Sequence, residues 1–224
     1  MGLKLILVRH VLLVALLGGF CATYAEAEVK IKPGVTISGP GLPATYSLDS
    51  FHFHWGTLNL RGSEHAIDGL QYAMELHLVH IKNNLTVEQA NQDPEGYAVL
   101  AFFIKVFKFV FLPAGNSVFL NGEFSLGALL NMADLSSYYH YHGSLTTPDC
   151  NESVIWMVFP DPIEVNNKTL KKFTNSLYFS TKREKRKMQK NYRPLQPGNK
   201  RQVFFFKENE TPYWPDQYTY SKKY

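Results

Sequence analysis

Residues Ser50–Trp55 (SFHFHW) alternate between aromatic side chains and serine or histidine. A period of two is typical of a β-strand, in which successive side chains point to opposite faces. His52 and His54 then lie on one face, and the aromatic side chains face the opposite way, into a packed layer. The segment therefore predicts a strand that presents two imidazoles side by side.

Further apolar runs with strand character follow along the chain. They are Met74–Ile81, Ala98–Phe111, Val154–Phe159 and Gln202–Phe206. Helical periodicity is weaker and is best seen in Ser125–Leu135 and Asn167–Leu177. Aromatic residues make up 14% of the 224-residue chain, which suits strands better than a helix bundle. The sequence predicts a single, mainly β (α+β) domain whose loops carry the chemistry.

The first 27 residues have the pattern of a secretory signal peptide. Lys4 and Arg9 give a positive start, an apolar run covers residues 11–20, and residues 25–27 (AEA) fit a small-residue cleavage site. Because a membrane-spanning helix needs about 20 apolar residues, this run is too short to span. We therefore expect a secreted, extracellular protein with a signal peptide at residues 1–27.

Secretion makes the N-x-[ST] glycosylation motifs informative. Asn84, Asn151 and Asn167 are candidate glycosylation sites. A fourth motif, at Asn209, is followed by Pro212, which makes it a poor acceptor. We expect one or two of these sites to carry a glycan.

The charge balance gives no reason to expect a nucleic-acid partner. Lysine and arginine number 23 against 19 acidic residues, a net charge of +4, which is too small to indicate a polyanion-binding surface. The one charge run, Lys182–Lys187, is more often a solvated loop or helix face than a binding patch. We adopt that reading for it.

A second alternating segment, Glu75–His80 (ELHLVH), contains a third informative histidine. Glu75, His77 and Val79 share one face of this predicted strand, whereas His80 points the other way and is interpreted as structural. A carboxylate beside a metal-bound histidine fixes the orientation of its ring. Glu75 is therefore a candidate partner of His77.

Two imidazoles from one strand and a third from its neighbour can form three corners of a tetrahedral zinc site. His52, His54 and His77 are accordingly candidate Zn2+ ligands. The alternative is a packed or hydrogen-bonded pair, because a His-x-His pair alone is more often that than a metal site. Cupins also use His-x-His, but with a ligating glutamate closer behind the pair than Glu64 lies.

A similar pair, His140 and His142, occurs in the tyrosine-rich segment Tyr138–Gly143 (YYHYHG). The dense tyrosine setting leaves the role of this pair open. We do not assign it to the metal site.

Five motifs occur in a fixed order and together carry a family resemblance. They are Phe51–Gly56 (FHFHWG), Gly62–Asp68 (GSEHAID), Glu75–His80 (ELHLVH), Gly143–Pro148 (GSLTTP) and Asn191–Pro197 (NYRPLQP). From about Thr36 to Phe206 the chain resembles an alpha-class carbonic anhydrase. It is most similar to the extracellular, membrane-associated branch of that family. The resemblance implies a domain at residues 28–206 with a central twisted, mostly antiparallel sheet and zinc at the floor of a cleft.

The same resemblance implies a zinc-dependent, reversible hydration of carbon dioxide to bicarbonate. His52, His54 and His77 match the three zinc ligands and leave the fourth position for water. Thr146 matches the threonine that directs this water, and Glu64 matches the buried acid that accepts the threonine proton. Other positions match substrate-side residues (Thr147, Val79, Val99, Leu145, Trp156) and partners of the ligands (Glu75, Asn191). Ser50 stands where the family usually has glutamine, so one hydrogen bond to a ligand is expected to be shorter or water-mediated.

The short stretch before the first motif, a divergent apolar segment and a cysteine without an intramolecular partner in the mature chain together suggest a truncated isoform or an incomplete gene model. The stretch that normally precedes the first motif is short here, so the sheet is expected to be incomplete at its N-terminal side. No histidine lies between residue 28 and His52, so no proton shuttle is assigned. The apolar segment Lys105–Gly122 replaces a polar turn and helix, and its origin is open. The alternative function is a catalytically impaired or non-catalytic carbonic anhydrase-like binding protein.

The cysteines and the C-terminus supply the remaining expectations. Of the two cysteines, Cys21 lies in the predicted signal peptide, so Cys150 of the mature chain is left for an intermolecular disulfide. The tail, residues 207–224, is polar and aromatic, and it lacks the hydrophobic end that GPI attachment requires. No GPI anchor is expected from this sequence.

Overall fold

The computed structural model describes residues 28–30, 34–57, 61–107, 130–177 and 187–208. The predicted signal peptide, residues 108–122 of the divergent segment, most of the charge run and the tail beyond residue 208 lie outside this part. The predictions made for those segments stay predictions.

Eight strands and two helices are defined within the described residues. The strands are β1 (Val29–Lys30), β2 (Thr36–Ile37), β3 (Tyr46–Trp55), β4 (Met74–Lys82), β5 (Tyr97–Phe107), β6 (Ser137–Gly143), β7 (Val154–Asn166) and β8 (Phe204–Lys207). The helices are α1 (Val87–Ala90) and α2 (Asn167–Ser176). The mainly β prediction is confirmed.

All eight strands belong to one sheet, in the order β1-β3-β4-β5-β7-β6-β8, with β2 pairing beside β1 on β3. Every pairing is antiparallel except that of β5 with β7, which is parallel. The predicted mostly antiparallel sheet is therefore confirmed. The central position of β4, flanked by β3 and β5, places the two histidine-bearing strands side by side.

The structure extends or corrects several predicted element boundaries. β3 begins four residues before the predicted start and passes through a register shift between Leu48 and Ser50. β7 continues beyond Phe159 to Asn166. The helix predicted at 125–135 does not continue past residue 130, because residues 131–136 form a turn and bend. β6 was not predicted as a strand, since its mixture of tyrosine and histidine gives no clear apolar alternation.

Helix α2 covers the aromatic face of β3. It begins after Asn166, whose side chain accepts a hydrogen bond from the Thr169 N–H, the usual arrangement at a helix N-terminus. The Phe173 ring lies 5.0 Å from the Phe53 ring and 5.4 Å from the Trp55 ring. Because these aromatic side chains pack against the helix, the histidines of β3 face the opposite side of the sheet.

Apolar residues pack into two main clusters. One cluster lies between the sheet and α2 and buries Trp55, Leu76 and Leu78. The other lies on the face of the sheet that carries the histidines and includes Val99 and Trp156. No helix of the described residues is long and apolar enough to cross a membrane.

Cys150 lies in the loop between β6 and β7. The intermolecular disulfide predicted for it in the processed chain depends on removal of the predicted signal peptide and stays a prediction.

Candidate metal centre

Three imidazoles converge where β3 lies beside β4. His52 pairs directly with His77 across the two strands, and His54 pairs with Glu75. The His77 Nδ1 lies 3.2 Å from His52 Nε2 and 3.1 Å from His54 Nε2. The geometry brings together the three predicted ligands and directs one nitrogen of each toward a common point.

These nitrogen atoms fit the geometry of a zinc ion. A tetrahedral ion with Zn–N distances of about 2.0–2.1 Å separates neighbouring nitrogens by about 3.4 Å. The observed 3.1 and 3.2 Å are close to that separation. Burial, followed by the neighbouring histidines, holds the pKa of His52 well below its usual range. Neutral imidazoles with available lone pairs are the form that binds metal.

Glu75 accepts hydrogen bonds from two histidine rings. Its Oε1 lies 2.6 Å from His77 Nε2 and 2.6 Å from His65 Nδ1, and its Oε2 accepts from the backbone N–H groups of Glu64 and His65. Burial alone would raise the pKa of Glu75, but the charges and hydrogen bonds of His65 and His77 lower it well below its usual range. The carboxylate is therefore ionised and fixes His77 with Nε2 protonated.

Two further members of this network, His65 and Tyr141, were not predicted as site residues. The Tyr141 hydroxyl lies 2.6 Å from His65 Nε2, and burial raises the pKa of Tyr141, so the phenol keeps its proton and donates it. A hydrogen-bonded chain thus leads from Tyr141 through His65 and Glu75 to His77. His65 lies within a quoted motif, but only the tertiary structure shows that Tyr141 of β6 reaches it.

Asn191 contacts the opposite end of the His54 ring. His54 Nδ1 lies 2.8 Å from the Asn191 carbonyl oxygen, to which it donates. The Asn191 side chain accepts from the Trp55 N–H at 2.8 Å and donates to the Phe53 carbonyl at 2.9 Å. The side-chain amide of Asn191 therefore fixes the position of its backbone carbonyl relative to β3. Because this carbonyl accepts the proton of His54 Nδ1, the Nε2 of His54 is unprotonated.

Ser50 lies on the same face of β3 and is completely buried. Its Oγ has no hydrogen-bond partner among the described residues. The side chain is too short to replace a glutamine in contact with a ligand. The expected water-mediated bond stays a prediction.

The predicted substrate-side apolar residues lie together. Val79 pairs with Val99 across β4 and β5, and Val99 pairs with Trp156 across β5 and β7. Leu145 packs against the same cluster. The Trp156 ring centroid lies 4.9 Å from that of His77. An apolar wall therefore borders the imidazole cluster.

The predicted hydrogen bond between Thr146 and Glu64 is not formed. Glu64 Oε1 accepts from the Arg193 N–H, and Oε2 lies 3.3 Å from His54 Nε2, without a hydrogen-bond partner among the described residues. The carboxylate is thus turned toward the imidazoles. Thr146 lines the same cavity as Glu64, and Thr147 follows in the loop but does not line that cavity.

Comparisons with known proteins agree with this geometry. A family model described as eukaryotic-type carbonic anhydrase matches residues 22–207. Carbonic anhydrase 4 of Rattus norvegicus is 38% identical over 80% of this chain and 62% of its own length. Putative carbonic anhydrase 5 of Caenorhabditis elegans is 39% identical over 75% of this chain and 56% of its own. Carbonic anhydrase 3 of Sus scrofa is 36% identical, over 72% and 66% respectively. The chain spans about three fifths of the length of the first of these relatives.

Proposed function

Because the chain belongs to the eukaryotic-type carbonic anhydrase family, we propose that it catalyses the reversible hydration of carbon dioxide to bicarbonate. The observation that carries this proposal is the convergence of His52, His54 and His77, which can hold the zinc that carbonic anhydrases use. When bound at such a site, zinc supplies a nucleophile at neutral pH by lowering the pKa of water to about 7, a figure known from carbonic anhydrase itself.

The protein prepares the imidazoles by holding a proton on the nitrogen that faces away from the common point. His77 keeps its proton on Nε2 because Glu75 accepts it at 2.6 Å. His54 keeps its proton on Nδ1 because the Asn191 carbonyl accepts it at 2.8 Å. Both rings therefore direct a bare lone pair toward the metal position.

Thr146 and Glu64 are proposed to orient the attacking water. Glu64 Oε2 is buried and has no donor among the described residues, and it lines the same cavity as Thr146, so it is the acceptor proposed for the Thr146 hydroxyl. Because the Thr146 hydroxyl then donates its hydrogen bond to Glu64, its oxygen can only accept a hydrogen bond from the water. This arrangement fixes the direction of the water lone pair that attacks carbon dioxide.

The apolar wall is proposed to receive the substrate. Carbon dioxide carries no net charge and binds few hydrogen-bond donors, so it is compatible with Val79, Val99, Leu145 and Trp156. Thr147 is proposed to contact the bicarbonate product at the edge of this wall. Bicarbonate, as an anion, gains less from the apolar surface and leaves more readily.

Proton release is proposed to depend on buffer. No histidine lies between residue 28 and His52 to serve as a shuttle. Turnover is then expected to rise with the concentration of an imidazole buffer at constant pH and ionic strength. A rate that is independent of buffer concentration would contradict this step.

Stopped-flow measurement of carbon dioxide hydration by the zinc-loaded protein tests the activity directly. We expect catalysis above the buffer rate, and its loss in Thr146→Val and His77→Ala. Thr146→Val keeps the metal ligands, so it separates the chemistry from metal binding. A protein that binds one zinc ion and gives no hydration would favour the alternative, a non-catalytic carbonic anhydrase-like binding protein.

The reaction is proposed to take place outside the cell, on a glycosylated protein. Asn84 is exposed in the turn after β4, whereas Asn151 and Asn167 are partly buried. Asn84 is therefore the site most accessible to modification. Secretion of the full-length chain, followed by a mass shift on enzymatic deglycosylation that Asn84→Gln reduces, would support this; intracellular retention would contradict it.

A further inference from the structure

The outer side of α2 is a surface that the proposed reaction does not use. The helix covers the side of the sheet opposite the imidazoles, and Leu170 and Phe173 pack into the core there. Its three lysines, Lys168, Lys171 and Lys172, are exposed. Because residues three and four apart lie on the same side of a helix, these lysines form one stripe, which we call the lysine face.

The charge of the lysine face is not balanced by nearby carboxylates. α2 contains no aspartate or glutamate, and none of its lysines forms an ion pair with a carboxylate of the described residues. Glu164, the first acidic residue before the helix along the chain, lies opposite Lys105 in the pairing of β7 with β5. The net charge of +4 for the whole chain therefore conceals a local concentration of positive charge on this ten-residue helix.

This arrangement is unfavourable for the helix itself. Lys168 lies in the first turn of α2, where no acidic residue is present and where the positive end of the helix dipole disfavours a cation. It is also three and four residues from Lys171 and Lys172, and like charges at such spacings repel each other. Residues that break local rules without a compensating contact are expected at functional sites. A bound polyanion would offset this repulsion.

A fourth ammonium group extends the lysine face at the C-terminal end of α2. Lys187 is exposed, and its Nζ donates a hydrogen bond to Asn175 Oδ1 at 2.8 Å. Asn175 lies three residues after Lys172 and therefore on the same side of the helix. With a rise of about 1.5 Å per residue, the row from Lys168 to Asn175 is about 10 Å long. A narrow row of this length suits a linear polyanion better than a single small anion.

We propose that the lysine face binds a linear, sulfated polysaccharide of the cell surface or extracellular matrix. Sulfate groups repeated along an extended polymer place successive anions against successive lysines. A helix that binds a membrane inserts apolar side chains, whereas the exposed large apolar side chains of the described residues lie outside α2. The proposal rests on the proposed extracellular location, which is where a secreted chain meets such polymers.

Surface plasmon resonance of the purified, zinc-loaded protein on immobilised heparin, a sulfated polysaccharide, tests this proposal. We expect saturable binding by the wild type at about 100 mM salt, and a loss of about tenfold or more in the α2 triple variant. Each lysine that binds a polyanion releases counterions, so the slope of log affinity against log salt should fall by about two to three in this variant. The α2 triple variant replaces the lysines of the helix by glutamine (Lys168→Gln, Lys171→Gln, Lys172→Gln).

The matched control removes as many exposed lysines from positions outside α2. It should bind heparin like the wild type, with an unchanged salt slope. Every protein in the comparison carries Asn167→Gln, so that a glycan at this motif does not cover the neighbouring Lys168. Near-ultraviolet circular dichroism should be unchanged in both triple variants, because all substituted lysines are exposed. The control variant carries three substitutions (Lys105→Gln, Lys200→Gln, Lys207→Gln).

Several results would overturn the proposal. Absence of saturable heparin binding by the wild type would do so directly, and an equal loss in both triple variants would indicate attraction by the overall charge. Equal affinity for vesicles of phosphatidylcholine and phosphatidylserine would indicate a membrane surface instead. Because the measurement uses purified protein, a negative result is distinct from a failure of secretion. Wild-type affinity in the α2 triple variant would also overturn it, with loss only when the charge run is neutralised (Lys182→Gln, Arg183→Gln, Lys185→Gln).

Discussion

The chain contains two His-x-His pairs on strands, and among the described residues only one of them belongs to a cluster that can hold a metal ion. His52 and His54 of β3 meet His77 of the neighbouring strand, with nitrogen atoms 3.1–3.2 Å apart. His140 and His142 of β6 have ring centroids 5.7 Å apart. No third metal-binding side chain of the described residues completes a cluster around the β6 pair. A shared spacing therefore has different consequences in the two regions.

The surroundings of His140 explain its different role. Its ring is 5% exposed and lies under the turn at Gly41, where a Cβ atom would come within 3.5 Å of it. Tyr138 secures this turn by donating to the Pro40 carbonyl at 3.0 Å, while His142 faces solvent. The His52–His54 pair differs in that the adjacent strand supplies a third nitrogen and that acceptors orient the rings of His54 and His77.

The largest expected difference between the pairs is in metal binding. Replacing His54 by Ala removes one of three converging nitrogens. Mutation of a residue that only hydrogen-bonds to a metal ligand lowers metal affinity by about 10–100-fold, and we expect a larger loss of zinc affinity here. His142→Ala is the matched control on the other pair and should retain one zinc ion per chain. Zinc content after dialysis, measured by atomic emission, checks both. Zinc loss in His142→Ala alone would reverse the assignment.

The second expected difference is in acid stability. Burial, followed by the charge of His142, lowers the pKa of His140 to about 4. Protonation of His140 therefore favours the unfolded chain. The contribution of the neutral ring to the free energy of unfolding is complete above pH 6.5. The free energy of unfolding then falls by about 2 kcal/mol by pH 5 and by about 3 kcal/mol at pH 4 and below. His140→Phe should flatten the pH dependence of the free energy of unfolding by those amounts, measured by urea denaturation. An unchanged pH dependence would contradict the buried, neutral ring.

A smaller effect is expected from the acceptor behind His77. Glu75→Gln replaces one carboxylate oxygen by an amide NH2 group, which donates and does not accept hydrogen bonds. The glutamine can therefore no longer accept from all four donors that now bind Glu75. Zinc affinity should fall by about 10–100-fold, measured by competition with a chromophoric chelator. Glu152→Gln, which removes an exposed carboxylate, serves as the control. Wild-type affinity in Glu75→Gln would show that the carboxylate does not orient His77.

The smallest expected effect lies at the end of the hydrogen-bonded chain. Tyr141→Phe removes the donor to His65 Nε2 and should lower the free energy of unfolding by about 1 kcal/mol. Because Tyr141 acts on His77 only through His65 and Glu75, zinc affinity should fall by less than about tenfold. Tyr139→Phe, on the same face of β6, should change neither quantity. A larger loss of zinc affinity in Tyr141→Phe than in Glu75→Gln would contradict the proposal that Tyr141 acts on His77 through Glu75.

The sequence predicted the ligand set because strand alternation is a local property. His52, His54 and His77 each lie in a segment whose period of two fixes the face of every side chain. The predominance of strands and the existence of α2 followed from similar local patterns, whereas the mostly antiparallel pairing was implied by the resemblance. The resemblance supplied the roles of Asn191 and of the apolar wall, most of which lies far from the ligands along the chain.

The parts that sequence did not predict depend on contacts between distant segments. Tyr141 reaches His65 because β6 pairs with β7, which lies beside β5 in a parallel pairing that no local pattern indicates. Likewise, Glu64 was predicted to bind Thr146, yet its carboxylate is turned toward His54. The orientation of a buried carboxylate depends on its neighbours in space. These neighbours come from distant segments, so the local sequence pattern does not identify them.

Zinc K-edge X-ray absorption of the zinc-loaded protein tests whether His52, His54 and His77 hold the metal. We expect three imidazole nitrogens at about 2.0–2.1 Å in a four-coordinate site. The multiple-scattering signal should fall to two imidazoles in His54→Ala and remain at three in His142→Ala. A sulfur ligand at about 2.3 Å, or a site whose imidazole signal is lost only in His142→Ala, would contradict it.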